Sequence, residues 1–320
     1  MDQNNLVKLS SISKKICVAL LGAFLLIFLL VHASANLCIL RADEGTWYTD
    51  FCHFFGTNYV VKVFEVILMA ALLFHIILTV ALQCQNWKAR GTVRYHHASK
   101  TKTHTGSKLM IWTGILIFAF LVMHLMQFWC VKMNITEGKY MVQTEKMMKE
   151  AQSFGQSEKA MRAQSIFMTQ NIQSQEEYEA FINELKSKQN PTAEEQDALD
   201  IINLNEIMMG MDQDMEGKYI HGLTKAQRDA IDACLPEADV EPDFYVMARD
   251  KFSIWWMDLI YLLTFVVLWF HMRHAFQSAF QTLGLNNLKY GKAIDFVAVA
   301  YATLICLMFA AVPVLVFLGL

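Results

Sequence analysis

No two of the seven cysteines (Cys17, Cys38, Cys52, Cys84, Cys130, Cys234 and Cys306) form a CxxC, and none begins a CxxCH. The first absence excludes a sequence-adjacent dithiol site, and the second excludes covalent haem attachment, so any haem here is held non-covalently. The cysteines do not cluster as iron–sulfur ligands do, and no glycine-rich dinucleotide fingerprint is present. Charge is scarce as well. Asp, Glu, Lys and Arg make up 18% of the 320 residues against 55% hydrophobic, which places the chain among membrane proteins rather than soluble enzymes of its length.

What charge there is divides unevenly. Residues 132–251 hold 13 basic and 23 acidic side chains, and the remainder holds 14 basic and 7 acidic. An acidic soluble segment thus interrupts a basic membrane protein.

Five apolar runs reach the roughly 20 residues that a helix needs to cross a bilayer: 16–37, 59–82, 109–131, 254–283 and 293–317. They predict an all-α integral membrane fold, a five-transmembrane-helix bundle with a helical extramembrane insert between helices 3 and 4. The domain division is 1–133 for helices 1 to 3, 134–245 for the acidic insert and 246–320 for helices 4 and 5. The first run has a second reading as a secretory signal, because Lys14 and Lys15 precede it and Ala33-Ser34-Ala35 resembles a cleavage site. Its apolar stretch is at the upper limit for a signal and His32 stands just before the supposed cut, so a retained helix is expected.

Orientation follows from basic residues at the cytoplasmic ends of spans. Lys8, Lys14 and Lys15 precede span one; Lys88, Arg90, Arg94, Lys100, Lys102 and Lys108 separate spans two and three; Lys289 and Lys292 follow span four. The amino terminus is then cytoplasmic, and the insert and carboxyl terminus lie on the outer side. Cys38 and Cys52 share the first outer loop and have the opportunity to form a disulfide.

The insert shows three capping-box spacings, Ser174 with Glu177, Thr192 with Glu195 and Thr224 with Gln227, each leading into a mixed apolar and charged run. A small helical cap is expected. Its methionines, including Met147, Met148, Met208, Met209, Met211 and Met215, read as adaptable packing side chains, with a soft-metal site as the alternative.

Ten histidines fall into two groups. His53, His96, His97, His104 and His221 lie in loops. His32, His75, His124 and the pair His271 and His274 lie in spans one to four, where an ionisable group is expensive unless paired or ligated. Depth sorts them. His32 is 18 residues beyond Lys14 and His124 is 16 beyond Lys108, whereas His75 is 13 before Lys88 and His271 is 13 before Gly284, where span four ends. Two pairs result: His75 with His271 nearer the cytoplasm, and His32 with His124 further out. Facing histidines in a bundle suit the two axial positions of haem iron. Inter-helix hydrogen bonding and a transporter proton relay are the alternatives.

His274 shares a helix face with His271, but depth favours His271 as the ligand. Arg273 and His274 then become candidates for supporting a haem propionate, with snorkelling to the interface as the other role for Arg273. Two acids lie in the outer halves of spans. Glu65 is a candidate quinone proton carrier, while Asp258 reads as an acid favoured by the positive end of a helix dipole.

The chain resembles the cytochrome b membrane subunit of succinate:quinone oxidoreductases and fumarate reductases, the single-anchor, di-haem type of complex II. The resemblance is carried by SISKKICVALLGAFLLIFLLVH, by FHIILTVALQCQNWKARGTVRY, by MIWTGILIFAFLVMH and by HMRHAFQSAFQTLGLN, the most specific of the four. It places the four axial ligands on His32, His75, His124 and His271. It implies two haem b groups, partner flavoprotein and iron–sulfur subunits on the cytoplasmic face, menaquinone near the outer surface, and residence in a bacterial inner membrane. The chain would be an electron-transfer and quinone-reacting subunit with no dicarboxylate active site of its own. A haem b subunit of another respiratory dehydrogenase, such as a hydrogenase, or a haem-free transporter or structural anchor, is the runner-up. The sequence departs from the family in two places. The outer loop carrying the insert is usually short, and the glutamate that some fumarate-reducing members have two residues before the span-four ligand is Trp269 here.

Overall fold

The computed structural model describes residues 10–91, 105–170, 174–210, 217–286 and 289–319. Lys8, Arg94, Lys100 and Lys102 of the orientation argument lie outside the described residues, as do His96, His97, His104, Met211 and Met215. The chain forms two compact units, one within residues 1–41, 51–123 and 251–320 and the other within 42–50 and 124–250.

In chain order the helices are α1 (Ser11–Leu37), α2 (Thr46–Thr57), α3 (Tyr59–Arg90), α4 (Thr105–Gln127), α5 (Trp129–Lys132), α6 (Thr144–Phe154), α7 (Glu158–Thr169), α8 (Gln175–Ser187), α9 (Ala193–Met209), α10 (Lys225–Cys234), α11 (Phe244–Phe252), α12 (Trp255–Thr282) and α13 (Gly291–Phe317). The strands are β1 (Tyr140–Gln143), β2 (Tyr219–Leu223) and β3 (Glu241–Pro242). Five helices are long and apolar enough to cross a membrane, so the protein is a multi-pass, all-α membrane protein.

Local chemistry sets the ends of the spans. The Ser10 hydroxyl caps α1 by accepting from the Ser13 amide at 3.1 Å, and Asn58 Oδ1 caps α3 by accepting from Val60 and Val61. α3 runs two turns past its apolar stretch, to Arg90, and stops at Gly91, whose φ of 70° is cheap only for glycine. α12 ends at Gly284 as expected, with φ of 74° and a bond from the Leu285 amide to the Phe280 carbonyl at 2.9 Å, the closure of a Schellman motif. Span three is broken near its end: α4 stops at Gln127, and the short α5 follows a non-helical Phe128. Cys38, whose thiol donates to the Ser34 carbonyl at 3.7 Å, and Cys52 are both present as thiols.

Within the bundle, close backbone approach joins α12 to α13 and α1, and α1 to α3 and α13. Small side chains permit it: Ala33 of α1 and Ala302 of α13 are fully buried with Met272 and Ile305. The Tyr301 hydroxyl donates to the Leu26 carbonyl, and Cys306 donates to the Phe265 carbonyl at 3.2 Å. α4 reaches α12 through side chains instead, by Thr113 to His271 and Phe120 to Tyr261. Among the described residues the only buried side chain of α3 is Ala71, and that of α4 is Thr113. A helix in a packed bundle normally buries a whole stripe.

The second unit contains the expected helices, and all three capping boxes are formed by the residues named above. It also holds a small antiparallel sheet, ordered β2-β1-β3, that the helical reading of the insert did not include. Tyr140 pairs with Leu223 and Val142 with Ile220, with a bulge between them, and Met141 pairs with Glu241. Met147 lies fully inside the core with Tyr140, Val142, Leu204, Ile207 and Ile231, and Met208 packs against it. These two methionines are packing side chains, whereas Met209 is exposed. α2 contributes Asp50, which accepts from Lys218 Nζ at 2.5 Å and from the Tyr219 hydroxyl at 2.7 Å. Burial, then this bond to Asp50, raises the Tyr219 hydroxyl above its ordinary pKa.

Candidate functional site

His75 stands on α3 and His271 on α12. His271 lies within electrostatic range of both His75 and His274. Each ring also meets a helix that presents no side chain at that point. A methyl group at Gly22 of α1 would stand 3.7 Å from His75 Cε1, and one at Gly114 of α4 would stand 3.8 Å from His271 Cε1. These two glycines were not singled out by the sequence. The signal was there, because a lone glycine inside an apolar helix usually has a packing reason.

The hydrogen bonds of His271 fix its tautomer. The Thr113 hydroxyl donates its one proton to the Met110 carbonyl at 3.0 Å, so towards His271 it can only accept. His271 Nδ1, 3.2 Å from Thr113 Oγ1, is therefore the protonated nitrogen. Nε2 keeps its lone pair, which is the state an axial metal ligand requires. His75 differs, since its Nδ1 is buried and has no hydrogen-bond partner. A buried polar atom in that condition costs about 1–3 kcal/mol unless something binds it.

His32 lies ten residues beyond Gly22 on α1, and His124 ten beyond Gly114 on α4, each about 15 Å further along its own helix. His32 stacks on Phe28 with centroids 5.2 Å apart and meets the Phe309 ring of α13 at 5.7 Å. His124 stands in the last turn of α4 with its ring 5.1 Å from Phe128. Contacts of α12 with α13 locate His32 along the bundle. Phe309, which touches His32, stacks on Phe265, and Trp269 one turn further along α12 bonds Thr303 at 3.0 Å. His271 is six residues beyond Phe265, and its neighbour Met272 is buried in one cluster with Ala33, the neighbour of His32.

Arg273 reaches Asp295 near the start of α13, and both side chains stay partly exposed. It pairs with Asp295 of α13 at 3.4 Å and lies over the Trp269 ring at 5.6 Å, while Gln277 donates to the same carboxylate. An arginine has five donors, so this pairing leaves others for a further acceptor. His274 is half-buried beside it. Glu65 is half-buried on α3, ten residues before His75. Asp258 stands in the first turn of α12, as its reading as a helix-end acid expects, and is also buried at 6% exposure with Oδ1 lacking any hydrogen-bond partner.

Among the described residues no three His, Cys, Asp or Glu side chains gather as a bare-metal site. A haem macrocycle supplies four of the iron's ligands, so the protein need bring only two. His75 has one ring nitrogen without a hydrogen-bond partner, and His271 has one with a defined lone pair. No family model, curated protein or solved structure matches the chain.

Proposed function

We propose that this chain is a di-haem b membrane anchor that carries electrons between a succinate dehydrogenase catalytic pair and menaquinone. The observation that carries the proposal is the setting of His271, within electrostatic range of His75 from another span and bonded at Nδ1 to Thr113, which leaves Nε2 its lone pair. His75 and His271 hold the inner haem; His32 and His124 hold the outer one. Bound there, the two haems supply one-electron redox centres through a slab that conducts no electrons by itself. The protein's own part is to orient the imidazoles, exclude water and neutralise the propionates. Arg273 and His274 suit the last task, being a cation and a donor next to the inner ligand. At the position of the family's span-four glutamate, Trp269 offers an indole N–H already bonded to Thr303, so this chain has no carboxylate there to carry protons.

The partners of this reading are a flavoprotein and an iron–sulfur subunit on the basic, cytoplasmic face of a bacterial inner membrane, with the insert periplasmic. Purification from membranes tests it. A co-purifying flavoprotein and haem reducible by succinate support the reading, whereas haem reducible only by another donor, such as hydrogen, points to a different respiratory dehydrogenase.

The packing at Gly114 gives a graded prediction. Gly114→Ala is tolerated, because its methyl would sit at ordinary contact distance from His271. Gly114→Leu pushes into the ring and lowers haem occupancy at that level, measured as haem per chain. For the proton role of Glu65, Glu65→Gln should slow quinone turnover by roughly a hundredfold, the low end for general acid–base groups. Unchanged turnover rejects Glu65.

A further inference from the structure

The first turn of α12 holds a carboxyl group that the fold does not use. Asp258 is 6% exposed and its Oδ1 is buried without a hydrogen-bond partner. Favour from the helix dipole explains an acid near a helix start, but an exposed acid would gain that favour equally well, so it leaves the burial unexplained. A buried, unsatisfied carboxyl in a membrane-spanning helix marks a proton-handling or ligand-binding position by default.

Its surroundings narrow the choice. Asp258, Tyr261 and Phe265 are all buried on α12, and the spacing from 258 to 265 returns to the same face after two turns, about 10 Å along the helix. Tyr261 lies edge-on to Phe120 of α4 at 4.8 Å and to Phe252 at 5.0 Å. Phe265 stacks on Phe309 at 5.4 Å, and Phe309 meets His32 at 5.7 Å. One helix face therefore runs from a lone carboxyl, past aromatic rings suited to a flat apolar ligand, to the histidine of the outer level.

We propose that Asp258 is the residue that gives a proton to the quinone, an inference that rests on the haem and quinone reading above. Reduction of a quinone to a quinol consumes two electrons, supplied by succinate through the partner subunits, and two protons. Asp258 provides one of the two. Its carboxyl O–H bond breaks as an O–H bond forms on a quinone oxygen, and the carboxylate left behind is refilled from water on that side of the membrane. The second proton comes from solvent, by way of Glu65 if that residue is active. Quinol oxidation runs the same transfer in reverse.

The test compares Asp258→Asn and Asp258→Glu in the whole purified complex, with a short-chain naphthoquinone as the probe. Asp258→Asn should keep two haems and their reduction by succinate, while quinone turnover falls by about a hundredfold or more; Asp258→Glu should recover to within about tenfold of the parent. In the infrared difference spectrum, a carboxyl band that responds to the quinone in the parent should vanish in Asp258→Asn. Turnover within about twofold of the parent, with both haems present and reducible, overturns the role of Asp258 and leaves the haem reading standing. A parent complex with no haem overturns both. Should Asp258→Asn fail to assemble, the parent's infrared spectrum decides: a quinone-responsive carboxyl band that survives in Glu65→Gln supports the proposal, and the lack of any such band refutes it.

Discussion

Replacing His271 with alanine is expected to remove one of two haems and leave the other. The side chain is the only contribution of α12 to the inner pair, and the haem has no thioether tether to hold it once an axial bond is lost, because the chain has no CxxCH. Haem per chain should therefore fall from two to one, and the reduced-minus-oxidised amplitude should fall by about half. His274→Ala should keep both haems, since His274 is placed to support the site and not to ligate it. Thr113→Val is the finer probe. It deletes the acceptor of the His271 Nδ1 proton while keeping the side-chain shape, so the haem should remain but bind about 10–100-fold more weakly, as is usual when a ligand's outer hydrogen bond is lost. Loss of a haem in His274→Ala with retention in His271→Ala would exchange their roles.

The second large effect lies in the insert. Asp243 is fully buried and satisfies three donors: its Oδ2 accepts from His221 Nδ1 at 2.8 Å and from the Gly222 amide at 3.0 Å, and its Oδ1 caps α11 by accepting from the Val246 amide at 3.0 Å. Asp243→Ala removes the cap and both other bonds at once. Together these are worth on the order of 4 kcal/mol. That corresponds to a roughly thousandfold larger open fraction of the insert. Proteolysis of the full-length protein in detergent should cleave the variant's insert far faster than the parent's. The inner haem's share of the spectrum should change little, because His75 and His271 lie in the other compact unit, whereas His124 shares the unit of Asp243. Equal protease resistance in the two proteins would show that the Asp243 bonds carry little of the insert's stability.

The parts of this structure that were legible in the sequence are those set by local chemistry. The five spans follow from uninterrupted apolar runs, and the three insert helices begin where Ser174, Thr192 and Thr224 meet a Glu or Gln three residues on. Gly284 ends α12 because a positive φ is needed there. The sheet was not legible. Its strands are four, five and two residues long, and β1 finds its partner about 80 residues away, so neither propensity nor periodicity announces it. α3 continues to Arg90 because a helix does not stop where its apolar residues do. It stops where Gly91 turns it.

At the site, counting residues along helices paired His75 with His271, and His271 lies within electrostatic range of His75. The count gave depth and nothing about facing. For that reason it missed Thr113, which sits opposite His271 from another helix, and the glycines that lie against both rings. Asp258 shows the same limit. A carboxylate in a first helical turn looks alike in sequence whether water or protein surrounds it, and only burial tells the two apart.

The central claim is that four histidines on four spans hold two haems. A reduced-minus-oxidised spectrum of the purified protein, combined with a haem count per chain, tests it most directly. Two b-type haems per chain are expected. A chain with none would contradict the account outright, and a chain with one would break the pairing of His32 with His124.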